Sequence, residues 1–252
     1  MIHFIGAGPG DPELITVKGR RLIDEADVII FAGSLVNPKV LDGHKDSAQI
    51  YDSAYMDLEE VTRIEIESER KGLKVVRVHT GDPSIYGAIR EQMDILEKEG
   101  IEYDVIPGVS SFVATAAVLK KEYTLPDVSQ TVILTRMEGR TPMPPKEKLI
   151  DLARHNASMV IFLSVGFMDE LCTTLIEGGY SHDTPAAVVY KATWPEQQIL
   201  RGTLADMPQK VRESGISRTA LTVVGGFLGD DYSLSKLYDK HFTTGYRKGV
   251  DE

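Results

Sequence analysis

The chain has a single cysteine, Cys172, among its 252 residues. That excludes a disulfide framework and any metal site built on several thiolates. Cys172 reads instead as a small apolar residue within a helix. Basic residues are in the minority: 28 Lys and Arg stand against 38 Asp and Glu, for a net charge of -10. A nucleic acid would meet mostly repulsion, so none is expected as a partner. A local basic pocket for an anionic ligand stays open, because charge patterns are local. Long apolar runs are missing as well. The longest mainly apolar stretch, Ala157 to Met168, falls short of the roughly 20 residues that span a bilayer. The first strand starts almost at Met1, which leaves no room for a signal peptide. A soluble, cytoplasmic protein without a membrane partner is therefore expected. What is present is 42% hydrophobic residues with ordinary Gly and Pro usage, enough to build a core. The length suits one large or two compact domains.

Strand and helix patterns alternate along the first half. Ile2–Gly6, Asp27–Ala32, Lys74–His79 and Tyr103–Ile106 read as strands. Thr16–Ala26, Asp57–Lys71, Ile85–Glu99 and Ser110–Leu119 read as helices. Such alternation implies a mostly parallel sheet covered on both faces. Lys120–Gln130 contains Pro126, has no period, and reads as a linker. Alternation then restarts, with strands at Thr131–Arg136, Met159–Ser164, Ala186–Lys191, Gln198–Thr203 and Thr219–Gly225. Helices are expected at Lys146–Arg154, Met168–Glu177 and Leu204–Glu213. The fold class is thus α/β, with two α/β domains of mostly parallel sheets at 1–122 and 128–252. The basic stretch from Ser235 to Lys248 reads as a solvated tail or, through Tyr238, Phe242 and Tyr246, as a flap or dimer contact.

Three strand-to-helix loops are rich in Gly, Pro and hydroxyls. Gly6-Ala7-Gly8-Pro9-Gly10-Asp11-Pro12 lacks the Gly-Lys-Ser/Thr ending of a phosphate-binding loop. It also lacks the G-x-G-x-x-G spacing of a dinucleotide site, and no acid ends the second strand at Phe31-Ala32-Gly33-Ser34. In the second loop, His79 to Gly87, Gly81 permits close approach of a ligand, while Asp82 reads either as a helix cap or as a ligand neighbour. The third, Pro107-Gly108-Val109-Ser110-Ser111, has no G-x-S-x-G, so Ser110 is not a nucleophile elbow.

Taken together, Gly6–Pro12, Gly81-Asp82-Pro83 and Pro107–Ser111 resemble the tetrapyrrole methyltransferase family over nearly the whole chain. Ala32–Pro38, Gln130–Pro142, Val189–Pro195 and Lys236–Lys240 resemble its precorrin-4 branch. The resemblance implies S-adenosylmethionine folded into the cleft between two domains, S-adenosylhomocysteine as product, a tetrapyrrole substrate, and a homodimer. It implies methylation at C11 of precorrin-4, with or without cobalt, to give precorrin-5 in cobalamin biosynthesis. Another ring position is the alternative, and a non-catalytic tetrapyrrole carrier a remote one. Cofactor contacts carried over by motif are Pro9, Gly81, Asp82, Ile85, Ser110 and Ser111, then Val165, Ala187 and Ala192. Ser34, His79, Arg136, Arg140 and Lys191 are assigned to the substrate, the arginines because a guanidinium fork suits carboxylate arms. Arg136, Glu138 and Tyr86 are the candidate catalytic residues, with Glu138, His79 and Tyr86 as candidate bases. No resident metal is expected, since a sulfonium methyl is already activated.

Overall fold

The structure is a computed structural model and describes residues 1–250. Contacts divide the chain into two units. Met1–Thr115 and Lys191–Gln197 form the first, and Ala116–Tyr190 with the chain from Gln198 onward forms the second.

The first unit holds strands β1 (Ile2–Gly6), β2 (Val28–Phe31), β3 (Gln49–Asp52), β4 (Val75–His79) and β5 (Tyr103–Ile106). They make one sheet in the order β3-β2-β4-β1-β5, every pairing parallel. Helices α1 (Val17–Glu25), α2 (Leu58–Arg70) and α3 (Arg90–Lys98) follow in the connections, and α4 (Ser111–Leu119) begins in the first unit and ends in the second. Local chemistry sets their starts. The Thr16 hydroxyl caps α1, and Asp57 with Glu60 forms a reciprocal capping box on α2.

From β1 and β2 the chain moves toward one edge of the sheet, and from β3 and β4 toward the other. Right-handed crossovers then put α1 on one face and α2 and α3 on the opposite one. The cores agree: Ile5, Ile29, Val76 and Val78 pack with Ile23 of α1, while Phe4, Ile30 and Val75 pack with Val61 of α2 and Leu96 of α3. The loops leaving the neighbouring strands β1 and β4 therefore diverge. In an open parallel sheet this is the switch point outside which ligands bind.

Two local expectations differ from the structure. β3 was not expected; its sequence Gln-Ile-Tyr-Asp is half polar, and it lies at the sheet edge. Helix α3 starts at Arg90 rather than Ile85, because Tyr86 and Ala88 take left-handed φ values of 55° and 49° that no helix allows.

The second unit holds β6 (Val132–Arg136), α5 (Leu149–Ala153), β7 (Ser158–Phe162), α6 (Met168–Glu177), β8 (Pro185–Tyr190), β9 (Gln198–Thr203), α7 (Met207–Ser214) and β10 (Ala220–Val224). Its sheet runs β6-β7-β10-β8-β9. Only β6 and β7 pair in parallel; the other three pairings are antiparallel. This corrects the expectation of a mostly parallel second sheet. Only Lys191–Gln197 separates β8 from β9, and a parallel crossover needs about a dozen residues or more. Met159, Ile161, Leu171, Val188 and Met207 build the core, where Cys172 is buried among them. Among the described residues no helix is long and apolar enough to cross a membrane.

Candidate functional site

The carboxyl edge of the first sheet brings the three glycine loops together, backbone against backbone. The Ala7 amide donates to the His79 carbonyl at 2.8 Å. Gly8 and Gly81 exchange both of their backbone hydrogen bonds, at 3.2 and 2.8 Å. A Cβ on Gly6 would lie 2.6 Å from the Gly108 Cα and from the Gly81 carbonyl oxygen. One on Gly108 would run into the same carbonyl and into Gly6. No side chain fits at this junction.

Asp82 ties the second loop to the third. One carboxylate oxygen accepts from the Gly108 amide at 2.8 Å, the other from the Ser84 amide and hydroxyl at 2.9 and 2.5 Å. Partial burial pushes this carboxyl up, but the bonds from Ser84 and Gly108 outweigh it and hold it below the usual range. Its stabilisation is present above the ordinary carboxylate pKa and disappears as pH falls through the lower folded value. Asp82→Asn puts an amide where the brace needs an acceptor. It should lower stability by about 1–3 kcal/mol, read as a drop in urea midpoint that narrows in acid.

The first loop is seated by residues far along the chain. The Trp194 indole N–H donates to the Pro9 carbonyl at 2.9 Å, and the Asp11 amide donates to the Thr193 hydroxyl at 3.0 Å. The Asn37 side-chain amide donates to the Gly10 carbonyl at 2.7 Å. A Cβ on Gly10 would strike the Trp194 ring. Lys191 and Thr193 both have left-handed φ, 46° and 70°, and the Lys191 ammonium lies 4.8 Å from the Trp194 ring centre and 3.7 Å from the Glu196 carboxylate. Ala192 is buried within the same segment.

The remaining first-unit candidates divide by exposure. Ser34 and Tyr86 are exposed, Ile85 and Ser111 half-buried, and Ser110 buried at the start of α4. The loop of Ser34 is braced by Asp52, whose carboxylate accepts from the Gly33 and Ala54 amides. His79 is 4% exposed. Its Nε2 has no partner among the described residues, and burial with the nearby Arg77 cation pushes its pKa down to about 3. The imidazole is therefore neutral and offers no accessible base. None of the three loops carries a lysine or arginine, so the edge presents carbonyls, amides and hydroxyls. That donor set suits a nucleoside with an amino-acid tail better than a phosphate.

In the second unit, Arg136 ends β6 and closes on its own loop, donating to the carbonyls of Met137, Thr141 and Pro142 at 3.0–3.2 Å. Glu138 and Arg140 are exposed on that loop. Val165 is buried in the turn after β7, and Ala187 is buried in β8.

Sequence reasoning missed Asn37, Asp52 and the seating role of Trp194. The available signals were an Asn before Pro38 and the chain's single tryptophan, neither of which names its partner.

The sequence model described as Tetrapyrrole (Corrin/Porphyrin) Methylases matches residues 1–208. The chain is 59% identical over 248 residues to the cobalt-precorrin-4 C(11)-methyltransferase of Methanocaldococcus jannaschii, covering 98% of this chain and 96% of that one. The X-ray structure of a cobalamin biosynthetic enzyme, cobalt precorrin-4 methyltransferase, superposes with a TM-score of 0.89 at 47% identity, over 91% of this chain and 96% of the other. The uroporphyrin-III C-methyl transferase of Thermus thermophilus, solved with S-adenosylhomocysteine, gives 0.77 at 26% identity, over 90% and 98%.

Proposed function

Because the chain belongs to the tetrapyrrole (corrin/porphyrin) methylase family, we propose that it methylates C11 of cobalt-precorrin-4, using S-adenosylmethionine, in cobalamin biosynthesis. The convergence of three glycine loops free of lysine and arginine at the switch point of the first sheet carries the cofactor half of this reading. The C11 position is carried by likeness to the precorrin-4 enzymes.

When bound, the cofactor would supply an activated sulfonium methyl for in-line attack by the ring carbon, with S-adenosylhomocysteine as the leaving group. The chain's part is to hold it. Gly81, Asp82 and Ile85 on one loop, Ser110 and Ser111 on the next and Pro9 on the first offer backbone and hydroxyl partners. Ala192 adds an apolar contact beside the Trp194 seat. Val165 and Ala187 are assigned to the cofactor by family resemblance alone. Alignment of this kind supplies on the order of 7–11 kcal/mol toward a displacement. Tyr86, exposed on a strained loop, and Glu138 are the candidate proton acceptors, and Ser34 and Lys191 candidate substrate contacts. Buried His79 is not among them.

The ring's acidic arms call for donors on an acidic protein. Arg140 is exposed and has no ion pair among the described residues, whereas Arg136 is engaged by its own loop. Arg140→Ala should raise the substrate KM about tenfold, as loss of a charge-assisted pair does, with cofactor affinity unchanged. Arg136→Ala should lower thermal stability first. Equal substrate kinetics for wild type and Arg140→Ala would remove Arg140 from the site. We assign the protein to the cytoplasm, and a second copy of the chain to the exposed Tyr238, Phe242 and Tyr246 of the C-terminal segment.

The decisive experiment incubates the protein with labelled S-adenosylmethionine and precorrin-4, with and without cobalt, and locates the new methyl by NMR. Label at C11, with cobalt required for full rate, is expected. Label at another carbon would favour a different member of the family. Ring binding with no affinity for S-adenosylhomocysteine would favour a carrier.

A further inference from the structure

Beneath the loop from Thr80 to Ile89 lies a buried polar chain that the proposed chemistry does not use. Gln92, in the first turn of α3, is 5% exposed, and Arg77, at the middle of β4, is 6% exposed. The Gln92 amide nitrogen donates to the Ala88 carbonyl at 2.9 Å. Its oxygen accepts from Arg77 Nε at 3.3 Å, and Arg77 Nη1 donates to the Ile30 carbonyl of β2 at 3.4 Å. Glu65 of α2 is fully buried nearby, and neither of its carboxylate oxygens has a hydrogen-bond partner among the described residues.

A guanidinium held this way adds little to stability, since well-packed apolar residues of the same volume commonly serve as well or better. What the chain achieves is geometric. Ala88 and Tyr86 are held left-handed without being glycine, a state that persists only where the surroundings over-determine it. The residue before α3, Ile89, provides no side-chain cap. Gln92 is the side chain that reaches back to hold the entry to the helix.

We propose that Gln92, braced by Arg77, is a positioning residue that fixes the Thr80–Ile89 loop in the shape that receives the cofactor. This rests on the reading above that the loop binds S-adenosylmethionine, and the test separates the two. In the full-length protein, Gln92→Leu removes both hydrogen bonds at similar volume. Amide hydrogen exchange at Gly87–Arg90 should speed up about tenfold, the fold-change of one lost hydrogen bond, with exchange in β1 and β5 unchanged. Calorimetric Kd for S-adenosylhomocysteine and the KM for S-adenosylmethionine should rise by a similar factor, larger than any fall in kcat at saturation. Gln92→Met, of similar length and without polar hydrogens, also removes the donor to Ala88; it should give the same rise, and it serves if the Leu variant fails to fold. Unchanged exchange at 87–90 in a folded variant overturns the positioning role, whatever the ligand. Faster exchange with unchanged Kd overturns its link to the cofactor. A wild-type protein that ignores S-adenosylhomocysteine overturns the reading of the loop's ligand instead.

Discussion

Gly108→Ala should cost about 3 kcal/mol or more of stability and abolish measurable binding of S-adenosylhomocysteine. The added methyl would enter space held by the Gly81 carbonyl and the Gly6 Cα. Overpacking a filled site costs typically 1–3 kcal/mol when side chains can yield. Here every obstructing atom is backbone, and the Gly8–Gly81 pair pins it from the other side. For a chain of this length each kcal/mol moves Tm by about 2–4 °C, so a loss of some 6–12 °C is expected. Gly6→Ala fills the same gap, so the double variant should lose clearly less than the two single losses together. Gly245→Ala is the control, since nothing lies within 4 Å of its Cβ position. A Gly108→Ala protein with wild-type Tm and affinity would mean that the loops are not locked to one another.

Glu65→Gln should stabilise the protein at pH 8, by about 3 kcal/mol, and leave it unchanged near pH 4. Burial pushes the Glu65 carboxyl up to about 7, with the Arg77 cation offsetting only part of the rise. Below pH 4.5, the ordinary value, folded and unfolded chains both carry the proton and nothing is at stake. Between there and pH 7 the unfolded chain releases it while the folded chain retains it, so stability falls as pH rises, by about 1.4 kcal/mol per pH unit. Above pH 7 the loss is complete and flat. Glutamine keeps the shape of the protonated acid and removes the titration. His79 works in the opposite direction. Its folded value lies near 3, so its contribution is full above the ordinary histidine pKa and declines as pH falls. The two partly cancel in the wild type between about pH 4.5 and 6.5. Comparing wild type with Glu65→Gln in urea titrations at several pH values isolates the carboxyl. A variant less stable than wild type at pH 8 would show that Glu65 is an ionised partner of Arg77 instead.

The sequence made the first sheet legible because four of its five strands are mainly apolar segments followed by loops that contain Gly, Pro or hydroxyl residues. The fifth, β3, carries two exposed and two half-buried residues, so its alternation is invisible without its neighbour. Ile85 and Ile89 are spaced as on a helix, and the strain at Tyr86 and Ala88 leaves no mark on that pattern, so the later start of α3 is not legible. The second sheet misled for a different reason. Apolar periodicity marks where strands and helices lie but not which way the strands run. Direction is set by the connection between β8 and β9, whose brevity outweighs the alternating pattern around it. At the site, glycine spelling located the loops. It could not say that Asp82 commits both oxygens to the loops themselves, or that Arg136 folds back on its own carbonyls, since those are facts of distance.

The return of Lys191–Gln197 to the first unit gives that unit a timetable. Its five strands and their helices are all present once Leu119 has been made, yet Trp194 is added 185 residues after Pro9, the carbonyl it will hold. At about 5–20 residues per second, roughly 10–40 s separate the two on the ribosome. Through that interval the first loop can draw on Gly81 and Asn37 but not yet on the indole that will lie against Gly10. The last two hydrogen bonds of the first loop thus form only after more than half of the second unit has been synthesised. A chain released before Thr193 would lack both the hydroxyl that receives the Asp11 amide and the indole that holds the Pro9 carbonyl.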